Sequence, residues 1–178
     1  MSKELKLAIK EDKNTYKSRN ILIDCYKYLT CNQIKLYKKV VIISRKYRFC
    51  RDQKGVINKI LRIYYERKFN LLSQKTHINI QAKYGKNLKI YQENIIVNQY
   101  AKIGDNVKFH GNNCIGNNGK DLKKCPVIGN NVDIGYGATI IGDIYIADNI
   151  TIGANSLVNK SFTEKGIVIA GVPARKIK

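Results

Sequence analysis

Residues 128–152 form the segment IGNNVDIGYGATIIGDIYIADNITI. An aliphatic residue recurs in it at every sixth position, and a glycine often follows that residue. Neither an α-helix, with 3.6 residues per turn, nor a simple alternating strand has this period. The stretch therefore predicts short strands, each with one inward-facing apolar side chain, separated by turns.

The same period extends over most of the C-terminal part of the chain. Successive apolar anchors are six residues apart, except for one step of seven and one of thirteen. The anchors are Ile78, Tyr84, Ile90, Val97, Ile103, Phe109, Ile115, Ile128, Ile134, Ile140, Ile146, Ile152 and Val158. A small or aliphatic residue lies four positions after most of them, as at Ala82 and Val132. Three such sides close a coil of about 18 residues, and stacked coils bury a continuous apolar column.

Asparagines and the thirteen-residue step mark the turns of these coils. Asparagine tolerates positive φ, so we expect Asn106, Asn131, Asn149 and Asn155 at corners that need it. The long step predicts that residues 117–127, NNGKDLKKCPV, leave the coil as a loop. A long polar excursion from a regular solenoid often carries function.

Charge and glycine are divided unevenly along the 178 residues, whose formal net charge is +20. Residues 1–75 hold 20 Lys and Arg against 6 Asp and Glu, whereas residues 76–178 hold 13 against 7. Only one of the 13 glycines, Gly55, precedes residue 76. We therefore predict a short, basic, mainly α-helical N-terminal region over 1–75 and a β-helical domain over 76–178.

Helical spacing of apolar residues occurs twice in the basic region. The spaced residues are Ile21, Leu22, Cys25, Tyr28 and Leu29, and then Ile57, Ile60, Leu61, Tyr64 and Tyr65. Residues 38–49 alternate irregularly and fit either a strand or a helix. The mixture of cations and tyrosines suits a solvated helix face, an anionic membrane or glycan surface, or nucleic acid. The solvated face is favoured and nucleic acid is the least favoured of the three.

Composition also bears on the compartment and on metal binding. No apolar stretch approaches the roughly 18 residues of a membrane span, and the N-terminus lacks the apolar core of a signal peptide. We expect a cytoplasmic protein, located at the inner face of the membrane if the basic region contacts lipid. The five cysteines show no CxxC pair and no zinc-like spacing with histidine, so we expect reduced thiols and no metal site.

The repeats resemble those of the bacterial hexapeptide-repeat acyltransferases. Residues 134–138, IGYGA, and 152–156, IGANS, match the last coils of that family, and residues 169–177, IAGVPARKI, look like its C-terminal signature. The resemblance covers about residues 76–178. It implies a left-handed parallel β-helix, since spacing alone does not fix the handedness.

Within that family the chain is most similar to the serine acetyltransferase-like branch, which includes O-acetyltransferases encoded with capsule or surface-polysaccharide genes. The branch also includes cysteine-pathway serine acetyltransferases, which have a large helical N-terminal domain. The short N-terminal region of this chain therefore favours the polysaccharide O-acetyltransferases. The resemblance therefore implies transfer of acetyl from acetyl-CoA to a hydroxyl of a surface-polysaccharide sugar or its precursor. The alternatives are a serine O-acetyltransferase of cysteine synthesis and a catalytically inactive homologue that binds acetyl-CoA.

Acetyl transfer to a hydroxyl needs a base, and a neutral imidazole suits this task. The chain has only two histidines, His77 and His110. His110 lies in residues 109–116, FHGNNCIG, which are similar to a family segment reading Ile-His-Pro-x-Val-Thr-Ile-Gly. We expect His110 to be catalytic, Asn112 to contact the substrate, and His77, at the domain junction, to do so as a weaker candidate.

The resemblance also exposes a departure from the family in residues 91–98, YQENIIVN. Gln92 stands where the principal catalytic histidine is expected, and an alignment with a gap would place Tyr91 there instead. We expect Tyr91 to contact the substrate. Glutamine cannot act as a base near neutral pH. Either His110 takes over the role from about one coil further on, or Gln92 leaves an inactive enzyme, or Glu93 is the base.

The resemblance further implies a homotrimer that holds acetyl-CoA in the groove between neighbouring β-helices. The cofactor-binding residues carried over are Gly137, Ala138 and Ala154, with Lys160, Arg175 and Lys176 for its phosphates. The mechanism requires no metal. Outward aromatic residues such as Tyr136 and Tyr145 agree with an oligomer, because a neighbouring subunit would cover them.

Overall fold

The computed structural model describes residues 2–17 and 32–178. The chain divides into two compact units, Met1–Ile78 and Asn79–Lys178. The boundary therefore lies three residues beyond the position expected from composition. The helix predicted from Ile21, Leu22, Cys25, Tyr28 and Leu29 lies outside the described residues, as does Cys31.

The described part of the first unit folds into three helices. They are α1 (Lys3–Thr15), α2 (Asn32–Asp52) and α3 (Val56–Thr76). Ser2 begins α1, because its Oγ accepts a hydrogen bond from the Leu5 backbone N–H at 3.2 Å. A buried ion pair joins α1 to α2, with Arg45 Nε 2.7 Å from Asp12 Oδ2.

Residues 38–49, for which a strand and a helix were both open, belong to α2. The buried side chains of Tyr37, Val40, Val41 and Ser44 explain this, because they are three, four and seven positions apart and so share one face of a helix. The irregular alternation of the sequence reflects that helical face and not a pleated strand.

The predicted helix around Ile57 and Tyr64 is confirmed as α3, but its apolar residues are mostly exposed. Ile57 is 75% and Ile60 63% accessible, whereas Phe69, on the opposite face, is only 2% accessible. The Phe69 ring stacks on Tyr47 of α2 with 5.9 Å between centroids. Helical spacing predicted the element correctly, yet it did not predict which side of the helix is buried.

The second unit is a parallel β-solenoid of about five coils, as the six-residue period predicts. Face 1 contains β1 (Ile78–Ile80), β4 (Ile95–Val97), β7 (Asn113–Gly116), β10 (Thr139–Ile141) and β13 (Leu157–Val158). Face 2 contains β2 (Lys83–Tyr84), β5 (Lys102–Ile103), β8 (Val127–Ile128) and β11 (Tyr145–Ile146). Face 3 contains β3 (Lys89–Ile90), β6 (Lys108–Phe109), β9 (Asp133–Ile134), β12 (Thr151–Ile152), β14 (Val168–Gly171) and β15 (Ala174–Lys176). The last of these strands pairs antiparallel with β14.

The interior of the solenoid is the predicted apolar column. Every predicted anchor is buried, the most accessible being Ile103 at 5%. The second set of inward residues, from Ala82 to Ser156, is buried as well. Anchors stack in register from coil to coil, as Ile90, Phe109 and Ile134 do on face 3. Burial of this repeated set is what makes the period so regular.

Asparagines line the corner between faces 2 and 3. Asn106, Asn131 and Asn149 have φ values of 57°, 56° and 61°, as predicted for corner positions. Asn87 Nδ2 donates to Asn106 Oδ1 at 2.9 Å, and Asn106 and Asn131 each donate to the asparagine of the next coil at 2.8 and 3.0 Å. Each asparagine amide in the ladder therefore has a hydrogen-bond partner within the protein, where it would otherwise bond only to water.

The predicted loop leaves the coil between face 1 and face 2. Strand β7 ends at Gly116 and β8 begins at Val127, so the excursion is one residue shorter than the expected 117–127. Its own hydrogen bonds hold it: Asn117 Oδ1 accepts from the Gly119 N–H at 2.8 Å, and Asp121 Oδ1 accepts from the Lys123 N–H at 2.9 Å.

No helix within the described residues combines the length and the apolar character that crossing a lipid bilayer requires.

Candidate active site

The corner between faces 3 and 1, which we call the His110 corner, collects most of the predicted site residues. It comprises residues 91–94, 110–112, 135–138 and 153–156, each a turn of one coil. Backbone hydrogen bonds link these turns, from the Asn112 N–H to Glu93 O at 2.9 Å and from the Gly137 N–H to Gly111 O at 2.9 Å. Residues that are distant in sequence are thereby stacked along one edge of the solenoid.

His110 pairs with a carboxylate at this corner. Its Nε2 atom lies 2.7 Å from Asp133 Oδ1, and Asp133 comes from the next coil of face 3. The second carboxylate oxygen, Oδ2, lies 3.2 Å from Lys108 Nζ. The His110 and Asp133 side chains are 40% and 30% accessible, so the pair is open to a ligand from solution.

Tyr91 supports the imidazole from the preceding coil. Its ring stacks on His110 with 4.7 Å between centroids and 20° between planes. Lys89 Nζ lies 4.8 Å from the centroid of the same tyrosine ring. Stacking on one side and the Asp133 contact on another together restrict the orientation of the imidazole.

This arrangement determines which ring nitrogen is free. An ionised carboxylate only accepts hydrogen bonds, so in the neutral imidazole Nε2 carries the proton and donates it to Asp133. Nδ1 then holds the lone pair and is able to accept a proton from a substrate hydroxyl. The pair is thus arranged as a base with an orienting carboxylate.

The sequence reasoning missed Asp133, although the repeat contained a signal for it. A coil of about 18 residues, lengthened by the seven extra residues of the thirteen-residue step, places residue 133 beside Lys108. Register arithmetic therefore pointed to a carboxylate next to the predicted histidine.

Gln92, Glu93 and Asn112 are exposed at the same corner. A Cβ added to Gly111 would lie 2.6 Å from Gln92 Cβ, so Gln92 is directly beside the residue that follows His110. The Glu93 backbone oxygen takes part in the coil, and its side chain makes no ion pair in residues 32–178. Asn112 turns the chain with φ 51°.

His77 belongs to the helical unit and ends α3 in the left-handed conformation, with φ 51°. Its side chain is exposed. A left-handed residue at the end of a helix is a common structural device, so the position of His77 has a structural explanation that requires no substrate.

Three of the predicted cofactor residues lie in the two C-terminal turns of the His110 corner, 135–138 and 153–156. Gly137 has φ 72°, and a Cβ there would lie 2.0 Å from Asn155 Oδ1, so no other residue fits without a rearrangement. Ala154 is exposed. Ala138 is fully buried, and its carbonyl oxygen accepts from the Cys114 N–H at 3.3 Å, so it offers a cofactor no side-chain surface.

The three predicted phosphate-binding cations have different surroundings. Lys176 Nζ pairs with Glu164 Oε1 at 2.5 Å, and Lys160 Nζ lies 5.4 Å from the Phe162 ring centroid. Arg175 is cross-strand to Ala170 and makes no ion pair within the described chain. Arg175 is therefore the cation most available to an anionic ligand.

Within the described residues, no group of three or more His, Cys, Asp or Glu side chains is arranged to hold a metal ion.

Comparison with known proteins finds similarity to serine acetyltransferases, both in part of the sequence and in the fold. A serine acetyltransferase of Staphylococcus aureus (strain Mu50) is 42% identical over 65 residues, which are 36% of this chain and 30% of that protein. The matched segment thus spans less than a third of the length of such curated relatives. No protein-family model matches the chain.

Two solved structures show the same fold over nearly the whole chain. Soybean serine acetyltransferase without ligands superposes with a TM-score of 0.76 at 23% identity, covering 99% of this chain and 70% of that one. The coenzyme A complex of Brucella abortus serine acetyltransferase gives 0.73 at 24%, covering 98% and 68%. The fold is therefore a left-handed parallel β-helix preceded by helices, the same fold as in these two serine acetyltransferase structures.

Proposed function

We propose that this protein is an O-acetyltransferase that moves acetyl from acetyl-CoA to a substrate hydroxyl, with His110 as its general base. The observation that carries the proposal is the 2.7 Å contact between His110 Nε2 and Asp133 Oδ1 at an accessible corner of a hexapeptide-repeat solenoid. The coenzyme A bound to the Brucella abortus relative supports the choice of donor.

The chemistry assigned to His110 is a proton relay. The substrate oxygen attacks the thioester carbonyl carbon while its proton passes to His110 Nδ1, giving a tetrahedral intermediate. The C–S bond then breaks, and the imidazolium returns that proton to the leaving sulfur, so coenzyme A departs as a thiol. Asp133 holds the imidazole and stabilises its positive charge between the two steps.

For the acetyl-CoA donor, we propose a position along the two C-terminal turns of the His110 corner. Gly137 and Ala154 present little side-chain bulk there, and Arg175, across from Ala170, adds a cation near the same edge. A guanidinium suits phosphate because it donates two parallel hydrogen bonds. Lys160 and Lys176 are secondary candidates, since Lys176 already pairs with Glu164.

For the acceptor, the comparisons favour serine over the surface-polysaccharide sugar that we expected first. The relatives and structures reported above are serine acetyltransferases. A sugar hydroxyl is the second candidate, and a specific feature of face 1, described below, favours it. Both acceptors present a hydroxyl to the same base, so the His110 chemistry is common to them.

The test is release of coenzyme A thiol from acetyl-CoA in the presence of L-serine or of single neutral sugars. Release with serine alone establishes the serine enzyme, and release with a sugar alone establishes the sugar enzyme. If acetyl-CoA binds but no acceptor releases thiol, the proposal of an active transferase fails and the inactive-homologue alternative stands.

We also propose that the protein works as a homotrimer, which would let a neighbouring copy complete each donor site. Tyr136 and Tyr145 are 46% and 41% accessible in the single chain, as expected for outward aromatic residues that a neighbour covers. Native mass spectrometry checks this directly: a three-chain mass supports it, and a monomer at micromolar concentration contradicts it.

The basic helical unit suggests a further contact, which we propose to be with anionic lipid at the inner face of the membrane, approached from the cytoplasm. Val56, Ile57, Ile60 and Ile63 of α3 are 60–75% accessible. Exposed cations accompany them on the same helix, namely Lys59, Arg62, Arg67, Lys68 and Lys75, against a single acidic residue, Glu66. A second copy would bring like charges together, whereas anionic lipid neutralises them.

Co-sedimentation with vesicles tests this contact. We expect binding to phosphatidylcholine vesicles that contain phosphatidylglycerol, no binding to pure phosphatidylcholine, and loss of binding in Ile57→Ser/Ile60→Ser. The matched charge control is Lys120→Gln/Lys123→Gln in the solenoid loop, which should bind normally. Equal binding by the serine variant would contradict the proposal.

A further inference from the structure

A groove of about 300 Å³ lies on the solenoid where face 1 turns into face 2. Its volume is at the lower end of the range for small-molecule sites. The lining side chains are those of Asn79, Gln81, Ile96, Val97, Asn98, Gln99, Tyr100 and Leu122. Four of the eight carry a carboxamide, one carries a phenol, and none carries a charge.

The amides of this groove are available to a ligand. Within the described residues, the side chains of Asn79, Gln81 and Gln99 make no hydrogen bond to the protein. Asn98 Oδ1 accepts from the Tyr100 N–H at 3.0 Å, which leaves its NH₂ group unused. Each free carboxamide offers two donors and one acceptor oxygen, so the groove presents a dense set of neutral hydrogen-bonding groups.

Apolar surface is placed beside these amides. Ile96 is 60% and Tyr100 43% accessible, and Leu122 of the excursion is 71% accessible. The loop is ordered around Leu122, whose carbonyl oxygen accepts from Asn117 Nδ2 at 3.4 Å and faces Cys125 Sγ at 3.7 Å. The loop therefore contributes one hydrophobic side chain to the lining of the groove.

This combination discriminates between classes of small molecule. An amino acid carries an ammonium and a carboxylate, and both lose solvation on binding unless charged partners or well-placed donors replace the water. The groove has no charged side chain in its lining to do so. A pyranose ring needs the reverse, namely neutral donors and acceptors for its hydroxyls and an apolar patch for its C–H face.

We propose that this groove is a binding site for a neutral sugar ring. It lies along the edge of face 1 opposite the His110 corner, since Asn98 follows β4 whereas His110 precedes β7. The site does not depend on acetyl transfer for its existence. If the protein is also a transferase, a sugar ring held here, at the opposite edge of face 1 from His110, would anchor a longer saccharide whose acceptor hydroxyl lies at the His110 corner.

The test is a titration of the ¹⁵N-labelled protein, residues 1–178, without acetyl-CoA, followed through the side-chain NH₂ signals. The probes are D-galactose, D-mannose, N-acetyl-D-glucosamine and L-serine, added separately. We expect at least one sugar to shift the NH₂ signals of Asn79, Gln81 and Gln99, which single Ala variants assign, and serine to leave them unchanged. Serine shifting them, or no sugar doing so, overturns the proposal.

A double variant and a matched control make the result specific to the groove. Asn79→Ala/Gln99→Ala removes two free amides, and we expect at least about tenfold weaker sugar binding from the lost hydrogen bonds. Asn159→Ala changes an exposed asparagine elsewhere on the solenoid and should bind as the parent does. Equal weakening in both variants overturns the proposal.

The outcome is separable from the fate of the proposed transferase. Sugar binding in the groove without release of coenzyme A leaves the sugar site standing while the transferase fails. If serine releases coenzyme A and no sugar shifts the NH₂ signals of the groove, the transferase stands and the sugar site fails.

Discussion

Asp133 contacts His110 at 2.7 Å across two coils of the solenoid, although 23 residues separate them in sequence. The ten residues between β7 and β8 leave the coil and return to it without disturbing the register, so β9 still pairs with β6. The carboxylate is delivered to the histidine by that register. The site is therefore a property of the stacking of coils and not of any local motif.

Replacing the base should remove most of the activity. We expect His110→Gln to lower kcat by about 10²–10⁴-fold, the range that a general base contributes, with acetyl-CoA binding retained. The assay is thiol release at saturating acceptor, with calorimetry for acetyl-CoA. A larger loss from His77→Gln than from His110→Gln would show that the wrong histidine has been assigned.

Removing the carboxylate charge should have a smaller effect on the same step. Asp133→Asn keeps the shape but loses an ionised hydrogen-bond acceptor, which is worth about ten- to a hundredfold in kcat. The KM for acetyl-CoA and the melting temperature should stay close to those of the parent. Asp143→Asn is the matched control, because Asp143 is exposed and lies 3.7 Å from Lys124. Unchanged kcat in Asp133→Asn would rule out a role in orienting His110.

Gln92 distinguishes the active enzyme from the inactive homologue. In the proposed mechanism His110 and Asp133 already supply a base and its partner, so we expect Gln92→His to leave thiol release unchanged. The parent and the variant are compared at equal concentration with the same acceptor. Restored or strongly raised turnover in the variant would support the alternative in which Gln92 has silenced the enzyme.

The asparagine ladder should contribute measurably to stability. Asn106 has φ 57° and hydrogen bonds to Asn87 and Asn131, so Asn106→Ala should lower the free energy of unfolding by about 2 kcal/mol. Asn106→Gly loses the same hydrogen bonds but tolerates the backbone, so its loss should be smaller. Urea denaturation measures both. Equal losses of unfolding free energy in the two variants would mean that backbone strain at the left-handed position does not contribute to the loss in Asn106→Ala.

Thiol reactivity should follow burial. Burial raises the pKa of both Cys50 and Cys125, so less thiolate is present at a given pH, whereas Cys114 is exposed. In a Cys25→Ser/Cys31→Ser background, iodoacetamide near neutral pH should modify Cys114 first, as read by peptide mass spectrometry. Earlier modification of Cys125 would contradict the closed packing of the loop around it.

The solenoid could be predicted from the six-residue period alone. Its anchors from Ile78 to Val158 are buried as predicted, and the corner asparagines have the predicted positive φ. This succeeded because each coil repeats one local rule, an inward apolar residue and a turn, so the pattern is visible at short range. The resemblance to hexapeptide-repeat acyltransferases and the choice of His110 as a candidate came from the same repeat.

The side-chain contacts between coils could not be predicted from the repeat and are visible only in the folded chain. Folding paired His110 with Asp133, placed Tyr91 on the imidazole ring, joined amides from two coils and Leu122 of the loop into one groove, and left the apolar face of α3 exposed. The physical reason is that side-chain partners in a solenoid come from neighbouring coils. Their identity depends on the stacking register, to which the loop contributes, whereas burial of the anchors depends only on the local period.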